Sequence, residues 1–257
     1  MYITAEINGG LGNRLFQVAA MLGYAEKYGH TPVFVRDWIQ PNTSHPGPNT
    51  IQDFFEKLPV LDRLSDYETI QEQEENTFTY VELPYLPAHV KLVGYFQSEK
   101  YFPSYKIAPS LLGYTMQPLY PAIFLHVRRG DYLLDVTKHH QVELQQYYRR
   151  ALSVAMQPNM SVLVCSDDIE WCKQHFPAVY GDLVKSWIWF EGNDVETLQA
   201  MARCEYGGIC ANSTFSWWGA YFNKSLKKMV FMPGTWGYPP LPPARDIYPK
   251  HAYVLPV

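Results

Sequence analysis

The chain has 257 residues, 47% apolar and 18% charged, with a net charge of −4. Such a chain holds one large or two small globular domains and is neither disordered nor fibrous. The negative balance excludes a broad basic footprint for nucleic acid, while a local arginine cluster remains able to hold an anionic ligand.

In chain order, YITAEI is β-rich and NGGLGN is a cluster of breakers. RLFQVAAMLGYAEKYG then carries an apolar helical stripe closed by Gly29, and residues 32–36, PVFVR, read as a second strand. A β–loop–α–β unit predicts a parallel sheet. Residues 37–118 look irregular, rich in Pro, Tyr and Gln. There Trp38, Tyr85, Tyr95 and Phe96 are rings suited to a core or to the face of a sugar.

A second alternation begins with PAIFLHV at 121–127, its approach punctuated by Pro118 and Pro121. Helices are predicted over VELQQYYRRALSVAM, IEWCKQHF, VETLQAMARCEY and FSWWGAYFNKSL. Strands are predicted over MSVLVCSDD, SWIWFEGND, GGICANST and KMVFMP. Two α/β halves therefore meet near residue 119, as domains 1–118 and 119–257, the second ending in a Pro-rich tail that packs back as an extended segment. Cys165, Cys172, Cys204 and Cys210 fit no zinc template or disulfide framework. No apolar run reaches the roughly 18 residues of a membrane span, and Glu6 and Asn8 interrupt the N-terminal run, against a signal peptide. The expectation is a soluble, cytoplasmic protein with free thiols and no transmembrane segment.

Three junctions carry chemistry. Gly9, Gly10 and Gly12 give neither GxGxxG nor a Walker loop, yet glycines before a helix let backbone approach a phosphate; a tight turn is the alternative. In HVRRGDY, Arg128 and Arg129 stand where a strand ends, the place where α/β folds bind ligands. A guanidinium there suits a diphosphate, and equally a surface ion network with Asp131. In ANSTFSWWG, the hydroxyls of Ser213, Thr214 and Ser216 either cap a helix or help hold an anion. Asp167, Asp168 and Asp194 at other strand ends are placed to take a base or ribose hydroxyl. There is no DxD, and no carboxylate–His cluster suggests a metal. Asp131, Asp135, His139 and Glu143 follow the arginines and leave the identity of a general base open.

NGGLGNRLFQ, HVRRGDY and NSTFSWWGA, in this order and spacing, resemble the motifs of the α-1,2-fucosyltransferases of glycosyltransferase family eleven, from about residue 3 to 235. The chain is somewhat short for that family. The resemblance implies a GT-B fold, two Rossmann-like domains facing across a cleft. It implies an inverting, metal-independent transfer from GDP-L-fucose to the 2-hydroxyl of a terminal galactose on an oligosaccharide, by a soluble enzyme of bacterial or viral type, at most peripheral to a membrane. No cofactor is implied. Arg128 matches the diphosphate-binding arginine and, with Asp131, is the catalytic candidate. His126 and Arg129 shape the donor site, while Gly10, Gly12 and Asn13 approach the diphosphate and fucose. Ser213, Thr214, Phe215 and Ser216 match the phosphate loop, and Asp194 an acidic contact to the nucleoside. The rival readings are a GT-B fucosyltransferase of different linkage and an inactive carbohydrate-binding relative.

Overall fold

In the computed structural model, which describes residues 1–41, 51–102, 107, 120–135 and 137–257, the chain opens with β1 (Tyr2–Ala5) and α1 (Leu11–Tyr28). The helix starts three residues before the expected Arg14. Gly9, at φ +73°, makes the turn by itself, and Arg14 N–H already donates to Gly10 O at 3.1 Å. Leu15, Phe16, Val18, Ala19 and Met21 are all buried, so α1 is a central element. It ends at Gly29, which is left-handed (φ 72°) and donates its N–H to Ala25 O.

The expected strand at 32–36 is split. β2 (Thr31–Pro32) pairs with β1. β3 (Phe34–Val35) turns away, and after the short helix α2 (Ile51–Phe54) it finds β4 (Val60–Leu61). Pro32 has no N–H with which to continue one ladder. Within the stretch that reads as irregular lie β5 (Tyr67–Gln71) and β6 (His89–Val93). They complete a parallel sheet of order β2-β1-β6-β5.

The second half follows its predicted alternation, with β7 (Ala122–Val127), α4 (Gln145–Ala155), β8 (Ser161–Ser166) and α5 (Ile169–Tyr180), and adds an unexpected short α3 (Gly130–Leu134) after β7. Then come β9 (Trp187–Phe190), α6 (Asp194–Ala202), β10 (Gly207–Ile209), α7 (Thr214–Phe222), β11 (Met229–Pro233) and β12 (Tyr253–Leu255). The sheet order is β12-β11-β10-β7-β8-β9, with every pairing parallel. All six residues of β7 are buried, as a strand covered on both faces requires. Gly208 is dictated by packing, because a Cβ there would lie 2.0 Å from the Phe124 ring.

The chain divides into two compact units, Met1–Gly113 with Pro242–Pro249, and Tyr114–Leu241 with Lys250–Val257. The junction expected at 118 and 119 lies outside the described residues. The tail is shared between the units: Asp246 accepts Tyr80 N–H at 2.8 Å in the first, and β12 extends the sheet of the second. Each unit is a parallel α/β sheet, as the GT-B expectation requires of it. Among the described residues no helix is long and apolar enough to cross a membrane.

Candidate active site

At the carboxyl end of β7 the backbone leaves the sheet and α3 begins, so consecutive side chains fan apart. Arg128 goes to two carboxylates: Nη1 donates to Asp167 Oδ2 at 2.7 Å, and Nη2 lies 2.6 Å from Asp131 Oδ1. Arg129 donates from Nε to Asp168 Oδ2 at 3.0 Å and lays its guanidinium 3.7 Å from the Trp171 ring centroid. Asp167 also accepts the Arg129 main-chain N–H at 2.8 Å. A Cβ on Gly130 would come within 2.7 Å of Asp167 Oδ2, so the glycine of HVRRGDY admits this carboxylate.

The ion network foreseen as the structural alternative therefore exists, and Asp131 belongs to it. Two guanidinium charges face three carboxylates, so the cluster as it stands is not cationic. Asp131 is the most exposed member, at 48%, against 18% for Asp167 and 15% for Arg128. Asp167 and Asp168 are thus engaged with arginines, and Asp168 also caps α5 by accepting Trp171 N–H at 3.3 Å. The structure thus gives protein partners to both carboxylates that the sequence offers to a base or ribose hydroxyl.

His126 is buried beside this cluster with Nδ1 unpartnered. Burial, then the charge of Arg128, push its pKa down to about 3, so the imidazole is neutral. Its ring lies 5.7 Å from Phe215, and Tyr132 donates its hydroxyl to Asn212 O at 3.1 Å. The structure thereby brings HVRRGDY and the 212–216 junction together. Burial raises the Tyr132 phenol to about 12, which keeps it a donor. Asn212 fixes the junction from below, donating to His140 O at 3.0 Å and Trp236 O at 2.9 Å.

The hydroxyls of the junction serve the helix. Ser213 accepts Phe215 N–H at 3.3 Å as the cap of α7, and Ser216 donates to Ser213 O at 3.2 Å. Thr214 is the first residue of α7 and, like Phe215, is partly exposed. Asp194 opens α6, next to its Asn193 cap and beyond the end of β9, which β8 separates from β7. Of the other base candidates, two carboxylates have local partners: Asp135 accepts Thr137 N–H at 2.9 Å, and Glu143 accepts Gln145 N–H at 3.1 Å.

In the first unit, Gly10 is the cap residue of α1, while Gly12 and Asn13 stand in its first turn, not in a loop. Arg14 is buried and ties the turn down, donating from Nε to Gly9 O at 2.7 Å and from Nη2 to Gln40 O at 2.8 Å. Sequence reasoning missed the partner of this turn, the stretch Gly94–Gln97. Gln17 donates to Gly94 O at 3.1 Å and accepts Asn8 N–H at 3.0 Å, while Gln97 donates to Asn13 Oδ1 at 2.9 Å. A polar Gln17 within an otherwise apolar helical stripe was the available signal.

Residues 2–236 match the family model "Glycosyl transferase family 11". The chain is 28% identical to an alpha-1,2-colitosyltransferase of Escherichia coli, over 91% of this chain and 92% of that protein. It is 25% identical to the galactoside 2-alpha-L-fucosyltransferase Sec1 of Mus musculus, over 85% of this chain and 63% of that longer protein. Among solved structures, the fucosyltransferase NodZ from Bradyrhizobium is similar at 14% identity and a TM-score of 0.48, covering 85% of this chain and 91% of that one. With the family model spanning all three motif junctions, the chain belongs to glycosyl transferase family 11.

Proposed function

We propose that the chain transfers L-fucose from GDP-L-fucose to the 2-hydroxyl of a terminal galactose, with inversion and without a metal ion. The observation that carries this reading is the joined Arg128–Asp167–Arg129 cluster and α7 start at the carboxyl ends of β7 and β10, in a family 11 chain. The acceptor oxygen forms a bond to the sugar's anomeric carbon as the bond to the β-phosphate oxygen breaks, and the electron pair leaves with GDP. The acceptor proton passes to a base that we leave unassigned. Arg128 meets the developing phosphate charge with a rigid fork, and Arg129 and His126 shape the pocket around it. The α7 start, Ser213 to Ser216, offers main-chain N–H groups and a helix dipole to the phosphates. We assign Asp194 to the nucleoside, and Gly10, Gly12 and Asn13 to the reacting sugar.

A diphosphate gains Arg128 by replacing a carboxylate, and of the two that pair with Arg128, Asp131 is the more exposed. This recasts Asp131 from a candidate base to a counter-ion of Arg128.

A second donor is favoured by one observation, the similarity to a colitosyltransferase along nearly the whole of both chains. Colitose is L-fucose without its 3-hydroxyl, so the two GDP-sugars present the same diphosphate to Arg128. The test is incubation of the full chain with GDP-fucose or GDP-colitose and a panel of β-galactosides, with and without EDTA, the linkage read by NMR. Fucose on galactose O2, unaffected by EDTA, is expected. Transfer from GDP-colitose alone selects the second donor, and GDP binding without transfer from either sugar sinks the enzymatic reading.

A further inference from the structure

We propose that Glu72 is a positioning residue for the transfer, holding the Gly94–Gln97 loop against the Asn8–Asn13 turn; this rests on the reading that the turn faces the reacting sugars. Glu72 follows β5, and its N–H donates to Val93 O at 2.8 Å, continuing the ladder to β6. Its carboxylate then bends over the next residues of β6, accepting Tyr95 N–H on Oε2 at 2.7 Å and Phe96 N–H on Oε1 at 3.0 Å. The loop so held is unusual. Gly94 sits at φ +144° and Phe96, a bulky residue, at φ +51°. A non-glycine residue in that region carries strain that its surroundings must over-determine, and such strain gathers at functional sites. One carboxylate supplies that restraint by satisfying two consecutive N–H groups that extended backbone would direct to opposite sides. The fit admits nothing larger at Gly94, where a Cβ would stand 2.3 Å from Glu72 Cβ.

The loop delivers this geometry to the turn at three points. Gly94 O receives Gln17, Gln97 Nε2 holds Asn13 Oδ1, and the Tyr95 ring lies 3.5 Å from where a Cβ on Gly9 would stand. Burial of the carboxylate opposes its charge and raises its pKa to about 7. A carboxyl group is thus buried, against its desolvation cost, at a place remote in sequence from every motif, with the glycine turn as the structure it serves.

The experiment uses the full chain as wild type, Glu72→Gln, Gln97→Met and the double variant. It measures kcat, KM for a β-galactoside and for GDP-fucose, Kd for GDP by calorimetry, and Tm. Misplacing a group by about 1 Å costs up to ~100-fold, so each single variant is expected to lose at least about tenfold in kcat while Kd for GDP stays within about twofold. The double variant loses no more than the worse single one, because both act through one loop. Wild-type kcat in either single variant overturns the proposal, as does a loss of transfer that only tracks the unfolded fraction. If Glu72→Gln does not fold, Gln97→Met decides, since it leaves the carboxylate and the loop backbone in place. Absence of transfer by the wild type counts against the proposed function, not against the role of Glu72.

Discussion

Asp167 clamps Arg128 from just past the end of β8, the adjacent strand, its Oδ2 at 2.7 Å from Nη1, while its other oxygen holds the N–H of Arg129. One side chain thereby fixes both the guanidinium and the backbone from which it grows. In Asp167→Asn one oxygen keeps the Arg129 N–H, and an amide then points its hydrogens at Arg128. Unfolding free energy should fall by about 1–3 kcal/mol, the usual cost of an unsatisfied buried partner, and kcat/KM for the donor by ~10-fold or more. Urea unfolding and initial rates check this. Unchanged rates would show that Arg128 needs no such clamp.

Gly130→Ala tests the same clamp without touching a charge. The added methyl would sit 2.7 Å from Asp167 Oδ2. The carboxylate must move, and donor kcat/KM should fall about as far as in Asp167→Asn. A fully active Gly130→Ala with a wild-type Tm would mean that Asp167 has room to shift.

Arg128 and Asp131 give opposite expectations for GDP. Arg128→Lys keeps a point charge and loses the two-pronged fork, and removal of such a donor typically costs ~10²–10³ in rate. Asp131→Asn removes the carboxylate that competes with a diphosphate, so Kd for GDP should tighten by up to about tenfold, equivalent to ~1.4 kcal/mol. Calorimetry on the two variants decides. Weaker GDP binding in Asp131→Asn would mean that the carboxylate supports the site instead of occupying it.

The second unit was legible because its strands are buried runs between helices of the right period. IFLHV and VLVCS could be little else, and each helix is bounded by a polar or glycine junction. The first unit was half legible. YETIQ forms β5 with four of its five residues exposed, so no apolar alternation marks it, although β6 does alternate at Val90 and Leu92. Among site residues, the arginines, the α7 junction and the glycine turn were all visible as residue types. What they touch was not: the pairing of Arg128 with Asp167 depends on register between neighbouring strands, and Glu72 reaches Tyr95 across 23 positions. Hydrogen bonds of that span leave no periodic trace.

Glu72 ties stability and activity to pH with opposite signs. Its pKa is raised in the folded chain, to about 7, chiefly by burial. The folded state therefore binds the proton more tightly than the unfolded chain, whose Glu titrates near 4.3. The resulting stabilisation is complete below about pH 4.3 and is lost as pH rises through about 7, at no more than ~1.4 kcal/mol per pH unit. Tyr101, whose phenol is raised to about 12 chiefly by burial and to a lesser degree by the Glu72 charge, stays neutral throughout. Comparing wild type with Glu72→Gln by urea unfolding at pH 5.5 and pH 8 should show the wild type gaining relative stability at the lower pH. Transfer runs the other way, because an ionised carboxylate accepts both N–H groups and a protonated one turns a hydrogen toward one of them. Wild-type kcat should rise through about pH 7, and that limb should vanish in Glu72→Gln. Parallel pH profiles for stability and for kcat in the two proteins would place the Glu72 titration outside the reaction.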